Sequence, residues 1–179
     1  MLPDPRNPHA SMRYRRLINP ANCYFFTVVT AQRRPLLIDH IEWLKRAIRI
    51  TRERHPFRID AIVVLPDHLH TIWTLPTGDA DRAMRWRVLK RLFSCALASG
   101  EPTRSQGKRR ENGIWQRRFW ERCIRTEDDR RTHLEYIHLN PVKHGYCSAP
   151  VEWPYSSFRR AVGAGEYAAG WGRREERVR

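Results

Sequence analysis

The chain lacks the features of membrane and disulfide-rich proteins. It has no apolar run near the roughly 20 residues that a membrane-spanning helix needs, and its first 20 residues are polar and basic, unlike a signal peptide. Cysteine is scarce and never spaced as in a zinc or redox motif. The four cysteines are Cys23, Cys95, Cys123 and Cys147. We therefore expect a cytoplasmic protein whose cysteines are reduced.

Acidic residues are also few, at 19 Asp and Glu against 34 Lys and Arg. The formal charge of +15 at pH 7 exceeds what solubility requires, and it favours a polyanionic partner. Most of the excess is Arg, which binds phosphate bidentately and stacks on bases, and seven Trp accompany it. Nucleic acid is therefore favoured over an anionic membrane. A chain of 179 residues is long enough for one domain with a sizeable core.

Hydrophobic periodicity predicts alternating strands and helices. The predicted strands are at 23–30, 57–65 and 68–75 and within 114–125. The predicted helices are marked by residues at helical spacing: Ile41, Leu44, Ile48 and Thr51 in the first, and Trp86, Leu89, Phe93 and Leu97 in the second. The strand at 57–65 is apolar on both faces toward its end, which predicts a central position. The turn Pro66-Asp67 joins it to the next strand as a hairpin, and residues 100–113 form a basic loop.

This order of elements is that of the ferredoxin-like βαββαβ arrangement, an α+β fold. Its antiparallel sheet carries both helices on one face and leaves the other face open. A third helix is predicted from Thr126, a suitable N-cap followed by acidic residues, to Asn140, where Pro141 stops it. We expect a single domain over residues 1–160 and a basic tail over residues 161–179, which is either flexible or folded back over the site.

Two histidines one residue apart begin the strand at 68–75. Because side chains alternate along a strand, His68 and His70 point to one face, where two imidazoles can bind one divalent cation if a third group completes the site. Tyr136 and Asn140 are four residues apart and share a face of the third helix. If that helix covers the open sheet face, it brings an amide oxygen and a phenol to the histidine pair. Asp67 is explained equally well by a metal contact or by the turn.

Each of these residues could instead have a purely structural role. Two strand histidines are often satisfied by hydrogen bonds alone. A helix tyrosine is often part of a core, and an asparagine before proline is a common helix terminator. The three residue types in one pattern favour the joint site.

Several short segments of the sequence resemble motifs of the single-tyrosine HUH transposases. They are Pro-Asp-His-Leu-His at 66–70, Trp-Gln-Arg-Arg-Phe-Trp-Glu at 115–121, Tyr-Ile-His-Leu-Asn-Pro-Val-Lys-His-Gly at 136–145 and Trp-Pro-Tyr-Ser-Ser-Phe at 153–158. The resemblance extends from about Tyr14 to Phe158, and it is strongest to the REP-associated tyrosine transposases of bacteria.

The resemblance implies a metal-dependent endonuclease and strand transferase acting on single-stranded DNA beside REP-type hairpins. By this resemblance His68, His70 and Asn140 hold Mg²⁺ or Mn²⁺, and Tyr136 is the nucleophile that forms a 5′-phosphotyrosine intermediate. It also favours a monomer over a dimer, and it implies a protein associated with the nucleoid. The candidate DNA contacts are basic and aromatic residues: Arg33, Arg34, Lys90, Arg91, Arg118, Trp120 and Arg125. Of these, Lys90, Arg91, Arg118 and Arg125 align with segments typical of the family. Stacking on bases and burial in the core explain Trp115 and Trp120 equally well.

Two other classes of function remain open on the sequence. A non-catalytic protein derived from such a transposase would bind DNA hairpins without cutting them. A ferredoxin-like, metal-independent ribonuclease would use histidine as acid and base, and would leave Tyr136 without a role. Relaxases are nearer relatives, but they place the tyrosine before the histidine pair, whereas here it follows.

Overall fold

The computed structural model describes residues 22–98 and 113–174. Most of the predicted basic loop at 100–113 lies outside the described residues, as do residues 1–21 and the last five residues of the predicted tail. Within the described part, no helix is long and apolar enough to cross a membrane.

The four predicted strands form one antiparallel sheet. They are β1 (Cys23–Val29), β2 (Arg58–Val64), β3 (His68–Thr74) and β4 (Trp120–Cys123), in the spatial order β2-β3-β1-β4. The helices are α1 (Ile41–Arg54), α2 (Arg82–Ala98), α3 (Glu127–Lys143) and the short α4 (Phe158–Gly163), with a helical turn at Pro150–Glu152. The strand order and the α+β composition confirm the ferredoxin-like prediction.

Side-chain alternation divides the sheet between two hydrophobic cores. On one face, Phe26 of β1 and Trp73 of β3 pack with buried residues of α1 and α2, among them Leu44 and Phe93. On the other face, the core consists of residues from three strands and from α3: Cys23, Phe25, Ala61, Val63, Leu65, Ile72, Ile124, Leu134 and Ile137. The even positions of β3 lie on this second face, so β3 directs the two histidines toward α3.

β2 is an edge strand of the sheet, so the predicted central position is wrong. Its outer edge is nevertheless covered by the chain that leads into α4. The Val64 amide donates to the Tyr155 carbonyl at 2.8 Å, and the Ser157 amide donates to the Ile62 carbonyl at 2.8 Å. Because this segment covers the edge and both faces are packed, β2 has the apolar composition of a central strand.

α3 begins as predicted and ends later than predicted. The Asp129 amide donates to the Thr126 hydroxyl at 3.1 Å, which confirms the N-cap. Pro141 does not stop the helix, because α3 continues through it to Lys143, and the His144 amide donates to the Asn140 carbonyl at 3.0 Å. Proline removes one amide donor without preventing the next residues from completing a further turn.

The chain after residue 160 packs against the domain. The predicted boundary at 160 falls inside α4, and Phe158 packs with Tyr167 and Trp171, with ring centroids 5.4 and 5.8 Å away. The Arg174 amide donates to the Ser148 carbonyl at 2.8 Å. Packed structure therefore extends to the end of the described residues.

Acidification should destabilise the fold through His138, which is buried in this C-terminal packing with Nε2 3.2 Å from the Ser157 hydroxyl. Burial, together with the positive charge of Arg160, lowers the pKa of His138 to about 3. Because an unfolded histidine titrates near pH 6.5, the unfolded chain alone gains this proton between about pH 6.5 and 3. The free energy of unfolding therefore falls with pH, by about 2 kcal/mol at pH 5 from this group.

Urea unfolding of the wild type and of His138→Gln at pH 7 and pH 5 measures the contribution of His138 to the free energy of unfolding. The variant should lose less stability than the wild type between the two values, by about 2 kcal/mol. Equal losses in the two proteins would contradict the prediction.

Candidate active site

The histidine pair lies at the start of β3, where the sheet meets α3. Both imidazoles are buried, and their ring centroids are 5.0 Å apart. The strand alternation predicted from the sequence thus brings His68 and His70 together on the face that α3 covers.

His70 is held by β1, its neighbour in the sheet. Nδ1 of His70 lies 2.8 Å from the hydroxyl of Thr27, its register partner, and the ring stacks on Phe25 at 5.6 Å. Burial lowers the pKa of His70 to about 3, with smaller contributions from His68 and His144. The imidazole is therefore neutral over the physiological pH range, which is the form that binds metals.

His68 is held by the residue before it. Its Nδ1 lies 2.6 Å from the Asp67 carboxylate, which also accepts a hydrogen bond from Arg33 at 3.0 Å. Burial lowers the pKa of His68, although Asp67 opposes this shift. Burial alone would raise the pKa of Asp67, but the hydrogen bonds and charges of His68 and Arg33 bring it below its usual value. Asp67 thus orients His68, beyond its role in the turn.

α3 brings the phenol and the amide to this pair. The Tyr136 ring centroid is 5.0 Å from that of His70, and Lys143 Nζ is 5.1 Å from the Tyr136 ring centroid. One turn after Tyr136, Asn140 is buried, and its Oδ1 has no hydrogen-bond partner among the described residues. One turn further, His144 contacts His68, with ring centroids 5.3 Å apart. Asn140 therefore lies on the helix face that covers both histidines.

The donor atoms at this position fit a divalent cation. His70 Nε2 and Asn140 Oδ1 are buried atoms without a hydrogen-bond partner in the described part of the chain. When the Nδ1 protons are donated to Thr27 and Asp67, the Nε2 atoms of the pair keep their lone pairs for a metal. No cluster of three His, Cys, Asp or Glu suited to a metal occurs within residues 22–98 and 113–174. The buried Asn140 amide oxygen, on the helix that covers the pair, has the chemistry of a third donor.

Three residues that contact the candidate site were not predicted from the sequence: Thr27, Lys143 and His144. A helix that ends at Pro141 does not include Lys143 and His144, whereas the observed continuation of α3 places His144 at the spacing 136, 140 and 144. Thr27 faces His70 through the pairing of β1 with β3, a long-range register that carries no local signal.

The predicted DNA contacts lie on different sides of the molecule. Arg33 joins the site through Asp67, whereas Arg34 donates to the Gly113 carbonyl. Lys90 and Arg91 lie on α2, across the sheet, and line a cavity of about 830 Å³ with Trp115 and Arg117. Burial lowers the pKa of Lys90 to about 8, and its Nζ donates to the Gln116 carbonyl at 3.0 Å. The exposed predicted contacts on or beside β4 are Arg118, Trp120 and Arg125.

Aromatic residues near the site have separate roles. Trp115 packs on Phe93 of the α1/α2 core at 5.3 Å, which favours a core role. Trp120 is exposed on the face that carries the histidines and meets Phe25 edge-on at 5.6 Å. His133 packs against Phe25 at 4.7 Å, and its Nδ1 lies 2.7 Å from the Asp129 carbonyl.

Comparison with known proteins gives close relatives, although no family model matches the chain. Over 161 residues it is 42% identical to the REP-associated tyrosine transposase of Escherichia coli (strain K12), covering 88% of this chain and 89% of the relative. A Haemophilus influenzae protein, named as a candidate for the same family, is 44% identical over 162 residues, covering 89% of this chain and 92% of the relative. The structure of a REP-associated tyrosine transposase bound to a REP hairpin is similar with a TM-score of 0.74 and 41% identity, covering 90% of this chain and 91% of that one.

Proposed function

The chain belongs to the REP-associated tyrosine transposases, and from this premise we propose that it is a metal-dependent, single-stranded DNA endonuclease and strand transferase. It cuts beside REP-type hairpins and rejoins strands. One observation carries the proposal: the Tyr136 ring lies 5.0 Å from His70 and one helical turn before Asn140, whose buried oxygen has no hydrogen-bond partner in the described chain. A nucleophile thus adjoins three donor atoms suited to a cation.

Tyr136 acts as the nucleophile. Its hydroxyl oxygen attacks the scissile phosphorus and forms an ester with the 5′ phosphate, while the bond from phosphorus to the 3′ oxygen breaks. The phenol gives up its proton, and the departing 3′ oxygen gains one. The phosphotyrosine keeps the bond energy, so a 3′ hydroxyl can later displace Tyr136 and rejoin DNA without a nucleotide cofactor. Lys143 brings positive charge close to the ring and to the incoming phosphate.

His68, His70 and Asn140 would hold the Mg²⁺ or Mn²⁺ ion. Such a cation, when bound, polarises a phosphoryl oxygen and stabilises the charge of the transition state. Thr27 and Asp67 fix the ring orientation and tautomer of the two histidines through their Nδ1 atoms. Phe25 packs against both His70 and Tyr136 and limits water beneath the reacting groups.

The DNA partner is a REP-type hairpin with a single-stranded flank. The structural relative is bound to a REP hairpin, and the formal charge of +15 suits a polyanion. Tyr136 meets the histidine pair of its own chain, so the catalytic set is complete without a second subunit. This cis arrangement supports a monomer, and a chromosomal hairpin substrate would place its action in the nucleoid.

A metal-independent ribonuclease is disfavoured by the chemistry of the pair. An acid–base histidine works best with a pKa near the operating pH, whereas burial lowers the pKa of His70 to about 3. That reaction would also leave Tyr136 without a role.

The full-length protein should form a covalent adduct with DNA. We incubate the protein with a REP hairpin oligonucleotide that carries single-stranded flanks, in Mg²⁺ or Mn²⁺. The expected product is a protein–DNA species that survives denaturing electrophoresis and that does not form when excess EDTA is present during the reaction. Hairpin binding without any adduct would favour the non-catalytic alternative. Adduct formation undiminished by chelator would refute the role of the metal.

A further inference from the structure

Three large aromatic side chains are exposed in the described part of the chain, and all three lie around the candidate active site. Tyr136 is 38% exposed, Trp120 is 54% exposed and Tyr146 is 45% exposed. An indole or phenol ring exposed to water loses the favourable free energy of burial. A cluster of such rings therefore indicates a binding surface for a partner with flat apolar faces. The proposed nucleophile explains Tyr136, which leaves Trp120 and Tyr146 to be explained.

Trp120 lies on the β4 side of Tyr136. β4 is an edge strand, and the Trp120 ring meets Phe25 of β1 at a centroid distance of 5.6 Å. Phe25 in turn meets the Tyr136 ring at 5.9 Å. Phe25 thus supports both rings from below, and it fixes Trp120 one side chain away from the nucleophile.

Tyr146 lies on the opposite, β2 side. Its ring stacks on His144 at 6.0 Å and on Trp153 at 5.3 Å, with interplanar angles of 23° and 30°. The Trp153 indole is anchored because its Nε1 donates to the carbonyl of Val64, a β2 residue, at 2.9 Å. His144 contacts His68, so Tyr146 is connected to the proposed metal ligands through a continuous series of ring contacts.

The two rings therefore flank the site across the width of the sheet. Four strands spaced about 4.8 Å apart separate the β2 and β4 edges by about 14 Å. At the duplex rise of about 3.4 Å per nucleotide this is about four nucleotides, and fewer when the strand is extended. A single strand with its scissile phosphate at Tyr136 can thus reach both rings with nearby bases.

We propose that Trp120 and Tyr146 are stacking platforms for two bases, one on each side of the scissile phosphate. This inference rests on the proposed function and adds how the single strand is held. Aromatic stacking accepts any base, since every base has a π-face. The platforms hold the strand extended across Tyr136 and leave sequence selection to other contacts.

The test measures equilibrium affinity in a Tyr136→Phe background, so that no cleavage occurs. The probe is a fluorescent REP hairpin oligonucleotide with single-stranded flanks, in which one flanking nucleotide at a time is made abasic. Trp120→Ala and Tyr146→Ala should each weaken binding of the intact probe by roughly 5- to 150-fold, the range that one base–aromatic stack supplies. Trp120→Phe should recover most of the loss. Trp43→Ala is the matched control, because Trp43 stacks on His40 on the far side of the sheet.

The coupling between residue and base is the decisive result. The penalty of Trp120→Ala should vanish on one abasic probe, and that of Tyr146→Ala should vanish on a different one. If neither variant weakens binding, if no abasic position removes the penalties, or if one position removes both, the proposal is overturned. Failure of the proposed function appears separately, as the absence of a covalent adduct from a protein that still has Tyr136.

Discussion

Tyr136→Phe is expected to abolish the covalent DNA adduct while leaving the fold and hairpin binding intact. Phenylalanine keeps the ring that packs edge-on against His70 and Phe25, at 5.0 and 5.9 Å, and removes only the hydroxyl oxygen. No other described tyrosine contacts the histidine pair, so we expect no other tyrosine to replace Tyr136 as the nucleophile. Removing a catalytic nucleophile lowers rates by about 10⁴- to 10⁶-fold, which takes adduct formation below detection on a denaturing gel.

The matched control for this variant is Tyr155→Phe. Tyr155 packs edge-on with Trp153 beside the outer edge of β2 and does not contact the histidine pair. It should form adduct at the wild-type rate, and both variants should bind the hairpin with wild-type affinity. An adduct from Tyr136→Phe in wild-type amounts would show that the nucleophile is another residue.

His70→Ala is expected to remove metal binding and to slow adduct formation by roughly 10³-fold, the several kcal/mol that a Lewis-acid cation supplies. In the wild type, His70 presents a buried Nε2 without a hydrogen-bond partner in the described chain. A cation satisfies that atom in the folded state alone, so Mn²⁺ should raise the melting temperature of the wild type. The variant should lose this shift, which is a readout independent of DNA cleavage.

Thr27→Val is expected to weaken metal binding without abolishing it, in contrast to His70→Ala. It keeps the volume near His70 and removes the hydroxyl 2.8 Å from Nδ1, so the imidazole loses the partner that fixes its tautomer. Loss of such a partner weakens metal affinity by about 10- to 100-fold, and the Mn²⁺ titration should shift by that factor. An unchanged Mn²⁺ response in His70→Ala would remove His70 from the ligand set.

Local sequence patterns predicted the parts of the site that depend on one element at a time. Alternation along β3 gave His68 and His70 a common face, and helical spacing gave Tyr136 and Asn140 another. The ferredoxin-like order of elements then allowed the sheet and the third helix to meet, as the structure confirms. The two inferences about shared faces use only the local period of one element, two residues in a strand and about 3.6 in a helix.

The parts that were missed depend on pairings between distant segments. The role of Thr27 depends on the register between β1 and β3, and the cover over β2 comes from residues more than 90 positions later. The end of α3 differs from its prediction for another reason: the preference of proline against helix interiors is a local tendency, which the packing of α3 on the sheet overrides. Lys143 and His144 follow Pro141, so a helix predicted to end there does not include them.

The covered edge of β2 also bears on how this protein behaves in a crowded cell. A bare strand edge invites other chains to extend the sheet, which leads to aggregation or unplanned dimers. Residues 155–157 occupy the hydrogen-bonding groups of β2 at Ile62 and Val64. At the opposite side of the sheet, β4 is only four residues long and carries charged Glu121 and Arg122. Individual copies are thereby protected from joining edge to edge.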